Sequence, residues 1–200
     1  MCSVPEYFGR FSEAPRERDL YEPLINFLYS HFGDSLKSRH GFFHITAQDV
    51  STIMDGEGGQ WSRPDVAAVV LRRNRYAATA TIDILSFEVK RYNACDLPAV
   101  HETLAHARFV NFAYLVWNRP ACTCGDQKDF DRILQNCRLY GLGLVTIHDP
   151  ANLQTFEVKL QPSRSAVGED AVDEFIETRF VDQNKQGIRA KLKDFCVGLP

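Results

Sequence analysis

Six consecutive apolar residues, Val66-Ala-Ala-Val-Val-Leu71, follow directly on Pro64-Asp65, and a second apolar run from Ile82 ends in Glu88-Val89-Lys90. Short, predominantly apolar runs of this kind read as strands covered on both faces. A sheet built on them needs helices above and below it, so the expected class is α/β. Side chains i and i+2 lie on one face of a strand, so Glu88 and Lys90 point the same way. Asp65 joins them if the two runs pair. Carboxylates bordering strands that are apolar on both faces are costly unless a partner or a task holds them there.

Two carboxylates and a lysine at adjoining strand ends are what Mg²⁺-dependent phosphodiester hydrolysis needs. Mg²⁺ takes hard oxygen ligands and keeps several waters, so one or two carboxylates plus substrate oxygens suffice, and Mn²⁺ is expected to substitute. Asp65 and Glu88 are the candidate carboxylate ligands, and the backbone carbonyl of Val89, between Glu88 and Lys90, is a third. Lys90 is placed to orient or help deprotonate an attacking water and to offset phosphate charge.

At 200 residues, 44% hydrophobic and 24% charged, the chain suits one globular domain and is neither disordered nor fibrous. The N-terminus is polar and no apolar run approaches the roughly 20 residues a bilayer needs, so neither a signal peptide nor a membrane partner is expected and the location is expected to be cytoplasmic. A net charge of −3 removes the simplest argument for nucleic-acid binding without excluding it. Arg72, Arg73 and Arg75 concentrate positive charge where a phosphate backbone could be held, the other reading being a solvated hairpin tip. Six cysteines without a CxxC pair are expected to be reduced thiols. Cys122, Cys124 and Cys137 make a poor zinc set, because Cys137 falls at helical spacing with Phe130, Ile133 and Leu134.

Ser12 to Phe32 reads as a first helix, which Pro23 either kinks or marks as starting later; a shorter helix capped by Asp19, with Glu22 completing a capping box, is the alternative. Gly41–Ile45 is a candidate strand, followed by a polar, glycine-rich loop through Gly59. After the two strands of the motif, Asp96 caps a helix from Leu97 to about Val110, and Phe112–Trp117 is a buried strand. A helix over about Gln127–Tyr140 ends at Gly141 and leads into Leu142–Ile147. Phe156–Leu160 adds an edge strand. The tail carries Val172, Phe175 and Ile176, then Ile188, Leu192 and Phe195, at helical spacing. The expected division is a core over residues 1–160 and a C-terminal helical extension over 161–200 packed on the same domain.

Pro64-Asp65 followed by Glu88-Val89-Lys90 resembles the motif of the PD-(D/E)xK nuclease superfamily, and the order of elements from Ser12 to Ile147 resembles its restriction-endonuclease-like core, a helix before a three-strand meander and a second helix leading to a parallel strand. The resemblance implies a mixed central sheet flanked by helices and hydrolysis of DNA to 5′-phosphate and 3′-hydroxyl ends. DNA is the implied partner, with a homodimer or larger nuclease assembly possible. A catalytically silent nucleic-acid-binding or scaffolding module of the same fold is the alternative.

The family often carries an acidic residue on its first helix, a role for which Glu17 and Glu22 compete. At about 100° per residue, Glu17 falls in the sector of Leu20, Leu24 and Leu28, whereas Glu22 lies about 160° from Leu24, so Glu17 is the candidate. On the helix after the motif, His101 and Arg108 project near the Leu97-Val100-Leu104 face and are candidate phosphate contacts. Glu102 and His106, spaced i, i+4 on the other side, read as a surface pair. The second Glu-Val-Lys, Glu157–Lys159, lacks a Pro-Asp a strand's length upstream and reads as solvated charge on an edge strand.

Overall fold

In the computed structural model the two apolar runs pair antiparallel as interior strands of a six-stranded sheet, and the structure describes residues 15–33, 42–52, 63–73, 80–119 and 127–197. The strands are β1 (Phe42–Asp49), β2 (Val66–Arg73), β3 (Thr81–Lys90), β4 (Phe112–Asn118), β5 (Gly143–Ile147) and β6 (Phe156–Leu160), adjacent in chain order. β1, β2 and β3 form an antiparallel meander, β3, β4 and β5 run parallel, and β6 returns antiparallel to β5. The chain is thus α/β with a mixed sheet flanked by helices.

Alternation divides each central strand between two cores. Ala67, Val69, Ile84 and Leu115 face one cluster, into which α2 (Leu97–His106) and α3 (Gln127–Leu139) send Val100, Ile133 and Cys137. Val66, Ala68, Phe87 and Val89 face the other, which the first helix fills with Leu20, Leu24, Phe27 and Leu28. Cys137 is fully buried among apolar side chains, as its helical spacing predicts.

The first helix is broken into three parts: a 3₁₀ turn over Glu17–Leu20, α1 over Tyr21–Phe27 and a π-helical turn over Leu28–Phe32. Pro23 marks the start of the α-helical part, in the first turn where its missing N–H has no helical acceptor to lose. Asp19 accepts from the Arg16 N–H at 2.9 Å and so caps the 3₁₀ turn rather than α1. Where Asp96 caps α2 its carboxylate accepts from Ala99 N–H at 3.1 Å, as expected. At the end of α3, Gly141 has φ 69°, Gly141 N–H donates to Arg138 O, and Leu142 N–H donates to Cys137 O at 2.8 Å, the Schellman arrangement that only a residue tolerant of positive φ completes cheaply.

The tail forms α4 (Glu169–Arg179) and α5 (Asp182–Val197). Val172, Phe175 and Ile188 lie in the same cluster as the sheet residues. Gln48 of β1 binds them at their junction, donating to Arg179 O and accepting from Val181 N–H and Asn184 Nδ2. Among the described residues no helix is long and apolar enough to cross a membrane. β1 runs on to Asp49, into the segment expected as loop, because Thr46–Asp49 pair with β2. Ser12, Gly41, residues 53–59 of that loop, Arg75, Cys122 and Cys124 lie outside the described residues, as does the side chain of Phe195.

Candidate active site

Asp65 sits where β2 begins, its N–H donating to Phe87 O at 3.2 Å, one residue beyond the last paired position, Val66↔Phe87. Its carboxylate reaches on to β3. Oδ2 accepts from the Val89 N–H at 2.7 Å, and Oδ1 accepts from the hydroxyl of Tyr21. In an extended strand the N–H and C=O of one residue point to the same side, so the Val89 carbonyl also faces Asp65, past the end of the β2 ladder. Glu88 and Lys90 share the alternate face, with Lys90 Nζ 2.7 Å from Glu88 Oε1.

Asp65, Glu88 and Lys90 line a cleft of about 520 Å³ that also receives Glu17 from the 3₁₀ turn and Glu102 and His106 from α2. Glu102 Oε2 lies 2.7 Å from Lys90 Nζ, and His106 Nε2 lies 3.7 Å from Glu88 Oε2. Arg63 and Ser51 complete the wall. Among the described residues, four carboxylates thus face two permanent cations.

That imbalance appears in the titration behaviour. Burial, and then the charge of Asp65, push the Glu88 carboxyl up to about 8. Burial also raises Asp65, outweighing the hydrogen bonds from Tyr21 and Val89 and the charge of Lys90. Tyr21 is raised by burial and by donating to Asp65. Burial alone would depress Lys90, but Glu88 and Glu102 outweigh it and hold it above its ordinary value, so it stays an ammonium. Burial lowers His106 to about 4, so its ring is neutral at pH 7 and its approach to Glu88 is not an ion pair.

The donor chemistry fits a hard divalent cation. Asp65 and Glu88 are close-set carboxylates that resist ionising together, and Val89, whose N–H binds Asp65, stands between Glu88 and Lys90. Among the described residues no three His, Cys, Asp or Glu side chains close round one point. A cation here would rest on two carboxylates, a backbone oxygen and water, a set that Mg²⁺ accepts and Zn²⁺ does not favour.

Asp65, Glu88, Lys90 and Glu17 come together in the cleft, Val89 meets them through its N–H on Asp65, and Glu22 is exposed and outside the cleft. The expectation for α2 is reversed. His101 is exposed with its ring edge-on to Tyr140, and Arg108 is exposed in the turn after the helix, while Glu102 and His106 face the site. The buried stripe is Ala99, Val100, Thr103 and His106, with Leu97 and Leu104 partly buried against the same core. Thr103 can be buried because its hydroxyl donates to Ala99 O at 2.9 Å.

Arg72 does not reach the cleft. It stands seven residues along β2 from Asp65, roughly 24 Å at strand rise, and the odd spacing puts it on the opposite face. There Arg72 Nε donates to Asp83 at 2.8 Å, and Arg164 Nη2 donates to the same fully buried carboxylate at 2.8 Å. Arg73 lies at the same far end of β2. Tyr21, Arg63, Glu102 and His106 are site residues that the sequence pattern does not single out. For Tyr21 a signal exists in its i+3 and i+7 relation to Leu24 and Leu28. The second Glu-Val-Lys behaves as expected, since Glu157 and Lys159 form an exposed ion pair on edge strand β6.

No family model and no curated protein matches the chain. Among solved structures, a protein of unknown function from Silicibacter pomeroyi is similar at a TM-score of 0.47 and 11% identity, over 93% of this chain and 97% of that one.

Proposed function

We propose that the chain is a Mg²⁺-dependent nuclease with a restriction-endonuclease-like core that hydrolyses phosphodiester bonds of DNA at Asp65, Glu88 and Lys90. The observation that carries this reading is the pairing of a buried and a half-buried carboxylate, mutually repelling, with a lysine on the same strand face, inside an open cleft. A structural ion pair would balance its charges, whereas among the described residues this cluster carries an excess of carboxylate that a divalent cation would neutralise. The strand order, with the meander β1-β2-β3 followed by parallel β4, supports the finer fold assignment.

The residues divide the work. Asp65, Glu88 and the Val89 carbonyl hold the cation, with Tyr21 and the Val89 N–H fixing the Asp65 carboxylate. A bound Mg²⁺ supplies a water of lowered pKa and a positive charge at the phosphoryl oxygen. Lys90, held as an ammonium, orients the attacking water and stabilises charge on the phosphate. Glu17 adds a further carboxylate at the cleft wall, and Arg63 is the cation placed there to meet a neighbouring phosphate.

Incubation with supercoiled plasmid, single-stranded DNA, RNA and free nucleotides, in Mg²⁺, Mn²⁺ or EDTA, tests the reading. Metal-dependent cutting of DNA that Asp65→Asn, Glu88→Gln and Lys90→Met abolish is the expected result. Equal cutting by all three folded variants would refute it, and DNA binding without cutting would point to the silent module instead.

A further inference from the structure

We propose that Glu102 is a positioning residue that takes charge of Lys90 and so releases Glu88 to a divalent cation, an inference that rests on the cation site proposed above. Lys90 Nζ lies 2.7 Å from Glu88 Oε1 and 2.7 Å from Glu102 Oε2. An ammonium has three donors, so it holds both carboxylates at once. The two are not equivalent. The Glu88 side chain is 9% exposed and sits beside Asp65, whereas that of Glu102 is 32% exposed on the wall of the cleft.

With Glu88 as its one partner, Lys90 would oppose cation binding directly. Turning Glu88 away would leave an ammonium that is only 14% exposed without a counter-charge, and an unpaired buried charge is expensive. Glu102 removes that cost, because Lys90 keeps one short ion pair whichever way Glu88 turns. The helix makes the arrangement dependable. Asp96 caps α2, and His106, one turn beyond Glu102, is locked in the core beside Glu88, so Glu102 is held on the cleft side at the i, i+4 position.

The test is calorimetric titration with Mn²⁺ of four proteins: wild type, Glu102→Gln, Lys90→Met and the double variant. Glu102→Gln is expected to weaken Mn²⁺ binding about tenfold, in the range found for outer-shell partners of metal ligands. In the Lys90→Met background the same change is expected to weaken it less than about twofold, the non-additivity that marks residues acting through one another. Unchanged affinity in Glu102→Gln, or an equal loss in both backgrounds, would overturn the proposal, the second by reducing Glu102 to its charge alone. Absence of Mn²⁺ binding in the wild type is a distinct result that would overturn the cation site and this proposal together. Glu102→Ala, carried through the same four-way comparison, separates the same outcomes should the glutamine rebuild a hydrogen bond to Lys90.

Discussion

The backbone N–H of Val89 donates to Asp65 Oδ2 at 2.7 Å, so the carboxylate at the start of β2 is tied to the strand that carries Glu88 and Lys90. With Tyr21 on its other oxygen, Asp65 is fixed by two donors before any cation arrives. The site is therefore organised by the fold, and each of its contacts has a measurable consequence.

Asp65→Ala strands the Val89 N–H and the Tyr21 hydroxyl together, whereas Asp65→Asn keeps an acceptor for one of them. An unsatisfied buried donor costs about 1–3 kcal/mol. Urea denaturation in EDTA should rank the alanine variant below the asparagine variant by about that amount. Equal stability of the two would mean that these bonds contribute nothing in solution.

Glu88 gives the metal-free protein a stability that depends on pH. Its carboxyl titrates near 4.5 when unfolded and at about 8 when folded, so between those values the folded state holds a proton that the unfolded state has lost. Its contribution is fully present below about pH 4.5 and is lost as pH rises through 8. Glu88→Gln should abolish that slope and raise stability at pH 8 in EDTA by at least about 1 kcal/mol, roughly 2–4 °C in Tm. Thermal melts from pH 5 to 8.5 decide it, and a variant that melts lower than wild type at pH 8 would contradict the origin assigned to the shift.

His106 acts in the opposite sense. Burial holds its folded pKa at about 4, below the unfolded value of 6.5, so the unfolded chain takes up the proton first as pH falls. Stability from this group is intact above pH 6.5 and is lost on the way down to pH 4. His106→Leu should flatten the acid side of the profile by removing that loss. Melts from pH 4.5 to 7 of wild type and variant measure the difference in slope, and parallel profiles would contradict it.

Asp83 is the one fully buried member of its ion triad, so the outcome depends on how many arginines it retains. Arg72→Met and Arg164→Met should each be tolerated to within about 1–2 kcal/mol, while the double variant, which leaves a buried carboxylate unpaired, should lose about 3–5 kcal/mol. DNA cleavage per folded molecule should be unchanged in both single variants. A drop in DNA affinity for Arg72→Met at full stability would return Arg72 to the substrate path.

What can be read from the sequence follows from what is local. Period-two alternation is enough to put Glu88 and Lys90 on one strand face, and the neighbouring apolar run is enough to bring Asp65 to them. The same rule excludes Arg72, whose odd spacing from Asp65 turns it to the other face, but Arg164, 81 residues from Asp83, is joined to it only by the folded chain. On α2 the hydrophobic pattern misleads because Thr103 and His106 look polar. Thr103 satisfies its hydroxyl within the helix, and His106 is buried as a neutral ring, so both pass as core residues. The pattern therefore sends Glu102 to solvent, and its role becomes visible only when α2 packs against β3.

Anomalous diffraction from crystals soaked in Mn²⁺ addresses the cation site most directly. The expected result is a peak within about 2.5 Å of carboxylate oxygens of both Asp65 and Glu88, with Lys90 still paired to Glu102. Fully soaked crystals in which that space stays empty while Mn²⁺ binds elsewhere would contradict it.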